Sequence, residues 1–89
     1  MKTKVIYTSG AEKDLRALGE KVAKRIIIKI GFYSQSENPL KQAKKLNPPF
    51  DDLFRFRVGD YRVIFETDNR GNLIILTILT IKHRKDIYG

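Results

Sequence analysis

The sequence predicts a single α+β domain over residues 1–89, in the order β-α-α-β-β-β, and three observations carry that reading. An alternating apolar segment opens the chain. Two helical stripes follow, and the C-terminal half shows only period-two patterns interrupted by glycine turns. The expected architecture is an N-terminal strand, a helix hairpin and an antiparallel three-stranded meander.

Each element has a local reason. In Lys2–Tyr7, Val5 and Tyr7 alternate among β-branched neighbours, which makes a strand. Ser9-Gly10-Ala11-Glu12 has capping-box spacing, with Ser9 as the N-cap and Glu12 reaching back. Ala11, Leu15 and Leu18 form the apolar stripe of that helix, and Gly19 ends it as a left-handed cap. A second helix spans Glu20–Ser34. It turns Val22, Ala23, Ile26, Ile27, Ile30 and Tyr33 inward, and Lys21, Lys24, Arg25 and Lys29 outward. Residues 35–50 are polar and include Pro39, Pro48 and Pro49, so they form a loop with one short helical turn near 41–45. Loops this long in small domains often carry function. Residues 53–58 and 61–67 alternate as strands around Gly59-Asp60, a pair suited to a two-residue II′ turn. Residues 68–71 make the next turn, 72–81 the last strand, and 82–89 a charged tail.

Composition narrows the function classes. The chain has 89 residues, 42% of them apolar, which suits a small folded core and argues against disorder. It has no cysteine and one histidine, so neither a disulfide framework nor a structural zinc site is expected, and no cofactor is indicated. Residues 1–9 are too short and polar for a signal peptide, and the longest apolar run, 73–81, is far short of a membrane span. A cytoplasmic protein with no membrane partner is the expectation. Eighteen Lys and Arg against ten Asp and Glu give a net charge of +8, a field that attracts polyanions. A solvated basic surface that keeps a small protein soluble is the plainer explanation of the same charge.

The hairpin sharpens the charge argument. With Gly59-Asp60 as its loop, Val58 faces Tyr61, Arg57 faces Arg62, Phe56 faces Val63 and Arg55 faces Ile64. Phe54, Phe56, Val58, Tyr61, Val63 and Phe65 then share one face, which takes the helices. Arg55, Arg57 and Arg62 share the other, and like charges placed opposite each other cost a sheet up to about 1 kcal/mol. An anion would relieve that cost, since guanidinium forks match phosphate geometry. The alternative is a solvated face whose arginines pair with Glu66 and the loop aspartates. In the tail, His83 can trade protons near neutrality and Tyr88 offers a ring for base stacking. A frayed terminus with Ile87 and Tyr88 tucked against the core is the competing reading.

Together, LFRFRVGDYRVIFE and ILTIKHRKDIYG resemble the RelE/ParE superfamily of type II toxin–antitoxin toxins, whose pattern is an R-x-R-x-G-x-Y-R-x-x-[FY] hairpin and a late H-R-[RK]-[DE]-[IV]-Y segment. The resemblance covers almost the full chain and implies a RelE-like fold. It also implies a ribosome-dependent endoribonuclease, an mRNA interferase that cuts mRNA in the ribosomal A site and inhibits translation. The implied reaction is attack by a ribose 2′-hydroxyl on the adjacent phosphate, without a metal. By the same resemblance Arg57, Arg62, Lys82, His83 and Tyr88 are catalytic, while Arg55 and Arg84 bind RNA. Lys44 and Lys45 are further RNA-binding candidates, and Lys21, Lys24, Lys29 and Lys41 suit ribosomal RNA phosphates.

Some relatives carry lysines where this chain has Arg55 and Arg57. Arginine does not lose its proton, so these two are expected to stabilise charge, and proton transfer falls to His83, Lys82 or a loop residue such as Asp51. The implied partners are a cognate antitoxin, the ribosome and mRNA. Rival readings are a ParE-like inhibitor of DNA gyrase, a non-catalytic RNA-binding module, and a basic domain with no nucleic-acid role.

Overall fold

The computed structural model describes residues 2–87. Strand β1 (Lys2–Tyr7) leads into helices α1 (Ser9–Leu18) and α2 (Glu20–Ser34), a 3-10 helix (Pro39–Gln42) and a short strand β2 (Lys44–Lys45). Strands β3 (Phe54–Val58), β4 (Tyr61–Arg70) and β5 (Leu73–His83) follow, and then the short helix α3 (Arg84–Ile87). The α+β class and element order agree with the sequence reading. The sheet is mixed, in the order β1-β5-β4-β3-β2, with β1 parallel to β5 and the other pairs antiparallel.

The hairpin register is the expected one: Val58 with Tyr61, Arg57 with Arg62, Phe56 with Val63, Arg55 with Ile64. Of the two turn residues only Gly59 has positive φ (58°), as a II′ turn requires. One face of the sheet packs on α1 and α2. Phe56, Phe65, Val63, Leu76 and Ile78 are fully buried there, with Ala11, Ile26 and Ile30 from the helices. The rings of Phe56 and Phe65 stack 4.4 Å apart, and Tyr33 packs tilted against Phe56 at 4.8 Å. Each such pair adds about 0.5–1.5 kcal/mol beyond its buried area.

Several local expectations are corrected. Thr8, not Ser9, caps α1: its hydroxyl accepts from the Ala11 N–H at 3.1 Å and also reaches the carbonyls of Ile78 and Leu79, which Ser9 does not. Gly19 has φ 89° and ψ 158°, an extended positive-φ conformation open to glycine, so it separates the helices without a left-handed helical cap. Ile27 is 44% exposed, because α2 packs on one side only and the buried stripe narrows to Ile26 and Ile30. The helical turn expected near 41–45 lies at Pro39–Gln42, and Lys44–Lys45 instead pairs with Phe54 and Arg55. Strand β4 continues through Asp68, Asn69 and Arg70, which pair with Ile75, Ile74 and Leu73, so the turn moves to Gly71-Asn72. Strand β5 runs on to His83.

Candidate functional site

The outer face of the sheet collects cations in rows. Arg57 pairs with Arg62, and Arg62 pairs with Lys82, so three positive side chains cross β3, β4 and β5 side by side. In the next row Lys44 pairs with Arg55, which pairs with Ile64. Gln42, Lys44, Arg55, Arg57 and Arg62 line a concavity of about 150 Å³, enough for a phosphate group.

Arg62 is the central group. It is 9% exposed. Its Nη1 donates to the carbonyls of Gly59 and Tyr61, each at a long 3.3 Å. The ion pairs among the described residues are Arg70 with Asp68 (2.8 Å) and Arg84 with Asp60 (3.8 Å). No carboxylate therefore pairs with Arg55, Arg57, Arg62 or Lys82 among the described residues, and the proposed pairing to Glu66 or the loop aspartates is absent there. A buried charge with no counter-ion is costly unless another group meets it. The hydroxyl of Tyr33 donates to the Arg57 carbonyl at 3.1 Å, which ties β3 to α2 beneath this face.

The sequence-predicted residues divide by register. Arg55, Arg57, Arg62, Lys82 and Lys44 share the outer face. Lys45 pairs with Phe54, so alternation turns it to the other side. His83 pairs with Tyr61, meets its ring edge-on at 5.3 Å, and accepts at Nδ1 from the Lys85 N–H at 3.2 Å. It therefore lies on the helix-bearing side, away from the arginines. The sequence leaves the face of His83 open, and this register sets it. Arg84 sits beside the hairpin turn, with its N–H donating to the Asp60 carbonyl at 2.8 Å. Asp51 is exposed in the loop before β3, outside the cationic rows. Tyr88 lies outside the described residues.

Sequence reasoning missed two features. Gln42 joins the concavity from the loop, and no pattern in the sequence marks it. Strand β5 carries a bulge at Leu79: Phe65 pairs with Ile78 and Ile64 with Thr80. The spacing of Ile74, Leu76, Ile78 and then Ile81 was the available signal, since alternation slips by one after Ile78. A second, larger groove of about 780 Å³ lies between α2 and the end of β3, with Lys21, Lys24, Arg25 and Lys29 around Ile28 and Val58.

Comparison with known proteins agrees with this architecture. The profile of the family described as ParE toxin of type II toxin–antitoxin system, parDE, matches residues 5–88. Toxin RelE3 of Methanocaldococcus jannaschii is 36% identical over 87 residues, covering 96% of this chain and 94% of the relative. The toxin–antitoxin complex RelBE2 of Mycobacterium tuberculosis contains a chain that superimposes with a TM-score of 0.74 at 26% identity, over 94% of this chain and 100% of that one. The archaeal RelE–RelB complex of Pyrococcus horikoshii gives 0.68 at 29% identity, over 94% and 97%. A full-length family match and a curated relative above one-third identity, on the fold already described, show that the chain belongs to the RelE/ParE superfamily of type II toxin–antitoxin toxins.

Proposed function

We propose that this toxin is a metal-independent, ribosome-dependent endoribonuclease that cuts mRNA in the A site and so inhibits translation. The supporting observation is the row Arg57–Arg62–Lys82, cationic and without carboxylate partners among the described residues. In the proposed reaction the ribose 2′-hydroxyl attacks the adjacent phosphorus and the bond to the 5′ oxygen breaks. The products are a 2′,3′-cyclic phosphate and a 5′-hydroxyl. Arg57 and Arg62 stabilise charge on the phosphorane oxygens. Lys82 is the one member of the row able to give up a proton, and it takes the general-acid role at the 5′ oxygen. The attacking hydroxyl loses its proton to water. Arg55 and Lys44 hold a neighbouring phosphate, Arg84 contacts the backbone beyond the turn, and Tyr88 stacks a base. Lys45 and the α2 lysines face ribosomal RNA. A cognate antitoxin is the expected partner, because the solved relatives from Mycobacterium tuberculosis and Pyrococcus horikoshii are toxin–antitoxin complexes.

A second reading, inhibition of DNA gyrase, draws on the ParE description of the matching family. Two parallel assays separate the readings. On ribosomes loaded with a defined mRNA, cleavage that leaves 2′,3′-cyclic phosphate and 5′-hydroxyl ends, and that is absent when the ribosomes are omitted, is expected. Gyrase supercoiling is expected to be unaffected. Inhibited supercoiling with intact mRNA would establish the second reading.

A further inference from the structure

The bulge at Leu79 decides which tail residue joins the cationic face. Before it, Ile78 pairs with Phe65; after it, Thr80, Ile81, Lys82 and His83 pair with Ile64, Val63, Arg62 and Tyr61. Without the extra residue, Thr80 would face Val63, Ile81 would face Arg62 and Lys82 would face Tyr61. A one-residue slip sends every side chain to the opposite face. Lys82 would leave the outer face, and His83 would turn toward it.

The groups that hold the bulge come from the N-cap of α1 and from its second turn. Strand β1 pairs with β5 as far as Ile78, so among the described residues the edge of β5 beyond that point lacks a strand neighbour on that side. The Thr8 N–H donates to the Ile78 carbonyl at 3.1 Å, and its hydroxyl lies 2.9 Å from that carbonyl and 3.1 Å from the Leu79 carbonyl. One oxygen of Asp14, Oδ2, accepts from the Thr80 hydroxyl at 2.6 Å and from the Ile81 N–H at 3.0 Å. A Cβ on Gly10 would stand 3.4 Å from the Leu79 carbonyl, so the first turn of α1 lies close against the bulge. Edge and bulge backbone groups need partners, and here α1 and its N-cap supply them.

We propose that Asp14, with Thr8, is a positioning residue: it fixes the β5 bulge and thereby selects Lys82 over His83 as the third cation beside Arg57 and Arg62. Burial of Ile81 favours the same register, so loss of the clamp is expected to populate the slipped pairing alongside the native one. The effect on register is independent of the nuclease reading; only the effect on cleavage rests on it.

The test compares Asp14→Ala, Asp14→Asn, Thr80→Val and Asp14→Ala combined with deletion of Leu79. Deleting Leu79 lets Thr80 follow Ile78 and keeps Lys82 opposite Arg62 in a regular ladder. The readout is cross-strand NMR contacts: Val63 with Ile81 marks the bulged register and Val63 with Thr80 the slipped one. Asp14→Ala is expected to show both sets, with mRNA cleavage slowed about 10²-fold, the scale of a small misplacement at a reacting centre. Asp14→Asn, which keeps an acceptor oxygen, is expected to retain the native set. The deletion is expected to restore a single set and to rescue cleavage in the Asp14→Ala background. If Asp14→Ala does not fold, Thr80→Val carries the test through the same contacts. A single native set in Asp14→Ala, or in Thr80→Val where the former is unfolded, overturns the proposal. A shifted register with unchanged cleavage would leave the clamp standing and remove Lys82 from the reaction.

Discussion

The two ends of β4 present arginines on the same face and treat their charge in opposite ways. At the far end Arg70, 71% exposed, donates to Asp68 at 2.8 Å, a surface pair in water. At the near end Arg62 is 9% exposed, flanked by Arg57 and Lys82, and held, among the described residues, by two long contacts to carbonyls. The far end is ordinary surface: exposed pairs contribute about 0–1 kcal/mol and fade with salt. The near end carries repulsion and desolvation that the folded chain does not offset with a carboxylate among the described residues. Stability alone does not explain such a row, and the proposed binding of an anion would.

Installing the far end's solution at the near end should do the most damage. Arg57→Glu places a carboxylate opposite Arg62, much as Asp68 serves Arg70. Cleavage is expected to fall by about 10²–10³, the usual cost of a lost charge-stabilising group, in single-turnover assays on ribosomes. Thermal unfolding should meanwhile show an unchanged or higher Tm. Arg62→Met is the next largest change. It replaces a buried, unpaired charge with an apolar side chain of similar length, and stability is expected to rise by about 1 kcal/mol in urea unfolding while cleavage is lost. A clear loss of stability would mean that the carbonyl contacts of Arg62 matter more than its desolvation.

Smaller effects sharpen the contrast. On the proposed function, Arg57→Ala removes one phosphate contact. The slope of log affinity against log salt for a single-stranded RNA oligonucleotide should flatten by about 0.7, the value per neutralised phosphate on single strands. Asp68→Ala breaks the exposed pair and is expected to change stability by less than about 0.5 kcal/mol, with cleavage unaltered.

How much of this was legible in the sequence depends on how local each determinant is. The β3–β4 hairpin was readable because Gly59-Asp60 sets the register and alternation does the rest, so the placement of Arg55, Arg57 and Arg62 followed directly. The partner of Arg62 on β5 was marked only by the slip in apolar spacing after Ile78. The groups that hold the bulge carry no local mark, since Asp14 lies 66 positions from Thr80 and Thr8 lies 70 from Ile78. The face that His83 joins was accordingly open from sequence, and the bulge turns it toward Tyr61. Lys44–Lys45 was read as helical because a two-residue edge strand exists only through its pairing with Phe54 and Arg55. Ser9 and Thr8 are both competent caps, and tertiary reach to β5 favoured Thr8.

The most direct measurement is mRNA cleavage on ribosomes by Arg62→Ala beside Arg70→Ala, both confirmed folded. If the unpaired row is the reactive surface, Arg62→Ala loses about 10²–10³ in rate and Arg70→Ala keeps the native rate. Equal rates for the two variants would contradict the assignment of this face to RNA chemistry.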